Sequence, residues 1–245
     1  MQLRNPFGEH GIVAGMKARA DIYSRHYGFD QCLRRCLNAA SPGAADPLPP
    51  HLVSELYAHW GDPLSPSAET YLRSCLVEAR KTRGHILQCG ASLLTLLLGA
   101  QCAGNQDKDR QLWCLEHDSH WANVIRSWLT QYEVHATHVI SARAEVFGRY
   151  VWYAIDPARL AERFSLVLCD GARATPQGVV GTLDKVSDRL APDAVVLVRK
   201  IGSAASLKTV TEWAAANNAS CALVDKREGF VKIARRQPQP VPDLD

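Results

Sequence analysis

Beyond residue 84 the chain alternates short, nearly unbroken apolar runs with longer amphipathic ones. Residues 85–89 (HILQC), 111–116, 136–141, 164–169 (FSLVLC), 194–198 (AVVLV), 220–225 and 230–234 read as strands. Residues 93–103, 119–132, 179–190 and 206–217 read as helices between them, with a short helix at 157–162. In 119–132, Trp121, Ile125, Trp128 and Leu129 share one face, as a helix packed on a core requires. Strands separated by helices predict an α/β fold with a doubly wound, seven-stranded, mostly parallel sheet. The last two strands are joined only by Lys226-Arg227-Glu228-Gly229, too short for a crossover, so the final strand must run antiparallel. Ahead of this alternation the pattern is helical, over 18–24, 30–39, 51–61 and 67–84, with Ser67 as a cap, Glu69 in the first turn and Gly84 closing the last helix. The Pro-rich stretch 41–50 between them marks a boundary. The expected organisation is an N-terminal helical extension or lid over 1–50, the α/β domain over 51–236 and a disordered tail over 237–245.

Composition narrows the function classes. At 47% hydrophobic, 245 residues can bury a full α/β core. A net charge of +3 without a dense Lys/Arg run disfavours a nucleic-acid partner. The longest apolar stretch, 91–100, is too short to span a bilayer, and MQLRNPFGEH lacks the apolar core of a signal peptide. Eight cysteines are scattered, several inside strands, which suits reduced core thiols in a cytoplasmic protein. Cys32 and Cys36 have helical i,i+4 spacing, but only His26 stands nearby as a further ligand, so no metal site is expected.

In such sheets ligands gather at the carboxyl ends of the strands, where strand order reverses. The first strand ends in Gln88-Cys89-Gly90-Ala91-Ser92, small residues that let backbone amides at a helix N-terminus approach a ligand. The second ends in Glu116-His117-Asp118, whose first acid is placed to accept hydrogen bonds from ribose hydroxyls. The fourth ends in Cys169-Asp170-Gly171, facing the reacting end of a bound cofactor.

LQCGASLLTLLLG, then WCLEHDSHWA, FSLVLCDGA and LAPDAVVLV resemble, in order and spacing, the class I S-adenosylmethionine (SAM) dependent methyltransferases. The likeness is to a bacterial branch reading roughly LECGSGLSTLLLG and LEHD, and it covers about residues 60–235. It implies a Rossmann-like methyltransferase fold and SAM as cofactor. Gln88, Cys89, Gly90, Ala91 and Ser92 would face the methionine part, and Glu116 the ribose. His117, Asp118, Ala142 and Arg143 would lie around the adenine, and Asp170 and Gly171 would border the methyl group and substrate. Gln88 stands where the family has an acid. Exchanging a charge-assisted hydrogen bond of ~1.5–3 kcal/mol for a neutral one near 1 weakens cofactor binding about tenfold. Ser92 stands where a second glycine is usual, and a positive φ there would be strained. Arg199-Lys200 replace the acids that hold a divalent metal in catechol-type relatives, so that site is not expected.

The resulting expectation is methyl transfer to an oxygen or nitrogen of a small molecule, with Asp170 as general base. Trp152 and Tyr153, in a loop after the third strand, would wall the substrate pocket, and Arg173 and Arg199 would meet an acidic substrate. The plainer alternatives stay open: a tight strand-to-helix turn at 90–92, a solvated acid at 116, a turn cap at Asp170, and His120 as either proton shuttle or cap neighbour. The degenerate loop equally fits an inactive methyltransferase-like scaffold or partner subunit, and a homodimer is allowed. A dinucleotide-dependent oxidoreductase would want a fuller GxGxxG and no antiparallel last strand.

Overall fold

The computed structural model describes residues 27–41, 48–60, 64–103, 110–148, 150–170, 178–201, 203–227 and 229–235. The expected helix at 18–24, the stop at Gly61 and the tail over 237–245 lie outside them.

Three helices come first: α1 (Tyr27–Ala40), α2 (Pro50–His59) and α3 (Pro66–Lys81). The cap of α3 is Ser65 rather than Ser67: its side chain accepts from the Ala68 N–H, and Pro66, which needs no N–H partner, takes the first helical position. Thr82 rather than Gly84 is the residue at the other end. The alternation then follows as β1 (Ile86–Cys89), α4 (Leu93–Ala103), β2 (Leu112–Glu116), α5 (Ser119–Gln131) and β3 (Thr137–Ser141). After β3, where the sequence pattern predicts a loop, come two strands, β4 (Ala144–Phe147) and β5 (Tyr150–Tyr153), paired as a hairpin. The short helix expected at 157–162 is one 3-10 turn, Pro157–Arg159, capped by Asp156. The rest is β6 (Phe164–Asp170), α6 (Gly178–Val186), β7 (Leu190–Arg199), α7 (Ala204–Ala216), β8 (Ala219–Asp225) and β9 (Phe230–Arg235). Here α6 ends early in a 3-10 turn, and β7 starts four residues before the expected 194.

The main sheet has seven strands in the order β3-β2-β1-β6-β7-β9-β8. β1, β2, β3, β6 and β7 pair in parallel, and β9 inserts between β7 and β8, antiparallel to both. The order reverses between β1 and β6, which fixes the crevice. Each face of the sheet carries its own core. Helices α1–α5 meet Ile86, Leu112, Leu168 and Leu197 on one side. On the other, α6, α7 and the hairpin residue Trp152 meet Leu87, Leu115, Val167 and Val196. Thus the β3-to-β6 crossover covers its face with a hairpin, not a helix.

The N-terminal helices belong to the first core. Phe29, Trp60, Trp121 and Trp128 form one aromatic cluster with ring centroids 5.3–6.1 Å apart. Cys32 and Cys36 are buried there and both thiols reach the Leu52 carbonyl. All eight cysteines are free thiols. Among the described residues no helix is long and apolar enough to cross a membrane, and no His, Cys, Asp and Glu cluster is arranged to hold a metal ion.

Candidate functional site

β1 delivers Gln88 and Cys89 buried to the crevice, and the chain then turns at Gly90, whose φ of 98° suits glycine. A Cβ built on Gly90 would meet nothing within 4 Å, so its backbone stands beside open space. Its N–H is tied to the Leu115 carbonyl at 2.8 Å, which fixes the loop to β2. Ser92 does not adopt a positive φ, so the expected strain is absent. It caps α4 instead. Its Oγ accepts from Leu94 N–H at 3.3 Å, and its own N–H donates to Thr95 Oγ1 at 2.9 Å. This reciprocal arrangement is a variant of the capping box, with the Ser92 hydroxyl on the second helical amide rather than the third and threonine in place of the usual Glu or Gln. The spacing Ser92-x-x-Thr95 was its visible signal in the sequence.

Gln88 turns back on the same loop, its Nε2 donating to the Gly90 carbonyl at 2.9 Å. Its Oε1 is buried and has no hydrogen-bond partner. A buried acceptor left unmatched costs free energy of order 1–3 kcal/mol, which a donor arriving in the crevice would recover.

Glu116 is 4% exposed and organises the loop around its carboxylate. Oε2 accepts from Ala91 N–H at 2.8 Å. Oε1 accepts from His117 N–H at 2.8 Å and Asp118 N–H at 2.9 Å, and the His117 Nδ1 lies 2.7 Å away. Burial raises the Glu116 carboxyl, but the His117 ring and the two amides of Asp118 and Ala91 outweigh it and hold it below the ordinary value. Asp118 is the cap of α5, its Oδ1 accepting from Trp121 N–H at 3.0 Å. The Trp121 indole N–H reaches the Ala91 carbonyl at 2.9 Å. The sequence marked Trp121 only as a core residue. It is also the strut between the aromatic cluster and the loop.

The other expected residues fall as follows. Ala142 is buried and its N–H donates to the Glu116 carbonyl at 2.8 Å. The Arg143 side chain is 83% exposed and pairs with Glu145. Asp170 is the last residue of β6, in register with Arg199 at the end of β7. The Arg199 guanidinium carbon lies 5.5 Å from the Tyr71 ring centroid, over α3. Cys89 and Cys169 sit opposite each other in register, both buried and packed in the second core. Trp152 is 7% exposed and fills that same core, so it fills the interior beneath the crevice. Tyr153 is half-buried against it, ring centroids 5.3 Å apart. His120 is exposed on the first turn of α5. Gly171 and Arg173 lie outside the described residues.

No family model and no curated protein matches the sequence. Solved structures do match in fold. The O-methyltransferase from Bacillus cereus in complex with SAH is 16% identical, with a TM-score of 0.51 over 86% of this chain and 91% of that one. The O-methyltransferase TomG from Streptomyces achromogenes, in complex with SAM, is 16% identical with a TM-score of 0.51, over 77% and 89%. A methyltransferase from Geobacter sulfurreducens is 13% identical with a TM-score of 0.51, over 79% and 90%. The fold is therefore the seven-stranded, Rossmann-like fold of the class I SAM-dependent methyltransferases.

Proposed function

We propose that this chain is a SAM-dependent methyltransferase acting on an oxygen or nitrogen of a small cytoplasmic molecule. The observation that carries the reading is the buried Glu116 carboxylate, held at the end of β2 and bonded across to the Ala91 amide of the glycine turn. That pairing brings together the two strand ends from which a nucleoside cofactor is gripped in this fold class.

The residues present fit SAM. Gly90 leaves open space beside the loop, and the orphaned Gln88 Oε1 is an acceptor suited to an ammonium group. Glu116 would take ribose hydroxyls. A carboxylate offers about four acceptor sites, and four donors already fill them, three on Oε1 and the Ala91 amide on Oε2, so even one hydroxyl requires the His117 ring to leave. The ring is 30% exposed and can do so. His117, Asp118, Ala142 and Arg143 would then border the adenine. When bound, SAM supplies an electrophilic methyl group on a sulfonium. The chain would hold the acceptor in line, which is itself a large part of catalysis in such sites. Asp170 would take the proton released by the acceptor, and Gly171, Arg173 and Arg199 would orient the substrate. Phe29 of α1 and Trp60, just past α2, would brace the loop through the Trp60–Trp121 contact, and the 1–50 extension would serve as a lid.

One observation favours a second reading, an inactive methyltransferase-like partner subunit. The loop satisfies itself: Gln88 Nε2, Ser92 and Glu116 all bond within it. Isothermal titration with S-adenosylhomocysteine (SAH) separates the two. Micromolar binding, abolished in Glu116→Ala, supports the enzyme. No binding up to millimolar SAH removes it for the isolated chain.

A further inference from the structure

The hairpin that replaces a crossover helix ends in Tyr153. Its placement is set by the backbone. The Ala142 N–H is bonded to the Glu116 carbonyl, and the Ala154 N–H donates to the Arg143 carbonyl at 2.8 Å. In the hairpin, Tyr153 lies in register with Ala144. The chain on both sides of Tyr153 is thereby anchored to the end of β2. Trp152 turns into the core and supports the Tyr153 ring edge to face. The ring itself packs on the second core, which includes Cys89, Leu115 and Cys169, the ends of β1, β2 and β6.

The phenol head lies near those strand ends. Burial, then the neighbouring Cys89, Glu116, Cys114 and Cys169, push its ionisation well above the usual phenol value. Every one of those groups is in the last three residues of its strand. The hydroxyl therefore stays protonated at physiological pH and is a donor. Among the described residues it has no hydrogen-bond partner, and it is not one of the sealed, orphaned polar atoms. A half-buried, well-braced O–H with no partner among the described residues, close to the ends of β1, β2 and β6, is arranged for something that is not protein.

Resting on the cofactor reading above, we propose that the Tyr153 hydroxyl is a binding group for the nucleoside half of the ligand, donating to it beside Glu116. It is neither a base nor a part of the core. Trp152, its sequence neighbour, has the opposite role and serves packing alone.

The test is titration of wild type and Tyr153→Phe with SAH and with adenosine, with thermal midpoints measured in parallel. Phenylalanine keeps the stack on Trp152 and removes no protein hydrogen bond. The expected result is about a three- to tenfold loss of affinity for both ligands, the worth of one neutral hydrogen bond. The midpoint stays unchanged or rises. Equal affinity of variant and wild type overturns the Tyr153 role and leaves the cofactor reading standing. A loss for SAH alone, with adenosine unaffected, overturns the assignment to the nucleoside half. A variant that fails to fold shows that the hydroxyl has a structural partner and also overturns it. Wild type that binds neither ligand overturns both readings together.

Discussion

Glu116→Gln is the sharpest probe of the loop because it changes charge and hydrogen bonding without changing volume. In the wild type, Oε1 serves three donors and Oε2 serves the Ala91 amide at 2.8 Å. The glutamine side chain has one oxygen and one NH2. Oriented with its oxygen on the three-donor side, it points its amide hydrogens at the Ala91 N–H. Flipped, it points them at His117 and Asp118, which is worse. The better orientation weakens charge-assisted bonds to neutral ones and leaves one buried N–H unmatched, a cost of about 2–4 kcal/mol. For a chain of this size that lowers the thermal midpoint by roughly 5–12 °C. Denaturant unfolding monitored by tryptophan fluorescence checks the free energy directly, since Trp121 is bonded to the same loop.

The pH dependence gives an independent check. The folded-state carboxyl is held below its ordinary value, so its contribution is present above the unfolded value, about 4.3, and is lost as pH falls through the folded one. The gap between wild type and Glu116→Gln should be full at neutral pH and shrink below about pH 4, where the wild-type carboxyl takes up its proton. A variant as stable as wild type at pH 7, or a gap that widens in acid, would refute the idea that the carboxylate holds the loop.

Two further substitutions test the scaffold. Gly229→Ala should be among the most damaging surface-turn changes: a Cβ there lies 2.2 Å from the Ile201 carbonyl oxygen and φ is 58°, so the turn that seats β9 against the end of β7 must open. A loss of about 2 kcal/mol or more in denaturant unfolding is expected, and a neutral result would mean the β8–β9 turn is not clamped to Ile201. Ser92→Ala removes the cap of α4 and should cost about 1 kcal/mol by the same assay. Stabilisation instead would restore the view that a non-glycine residue at 92 is strained.

Legibility followed the range of the forces involved. The central parallel strands were the plainest in the sequence because buried parallel strands need near-continuous apolar runs, as 164–169 and 194–198 show. The antiparallel insertion of β9 was legible from the shortness of its turn. The β4–β5 hairpin was not: Ala144–Phe147 alternates exposed and half-buried positions and carries no apolar run, so its strand character comes from cross-strand pairing. The same divide runs through the site. Gly90 and Glu116 could be found because each ends a recognisable strand. The features that make the site particular could not, because they arise between segments distant in sequence. Trp121 looks like any core tryptophan until the turn of α5 lays its indole N–H on the Ala91 carbonyl. Gln88 reads as a lost charge, but the fold makes it a clasp on Gly90 with one buried acceptor left unpartnered. Trp152 and Tyr153 are adjacent and chemically alike in sequence, and only the hairpin buries one in the core and leaves the other half-buried against it. A degenerate glycine loop therefore need not be a decayed one. Here Ser92 serves the helix, Gln88 serves the turn, and Glu116 ties the two strand ends together.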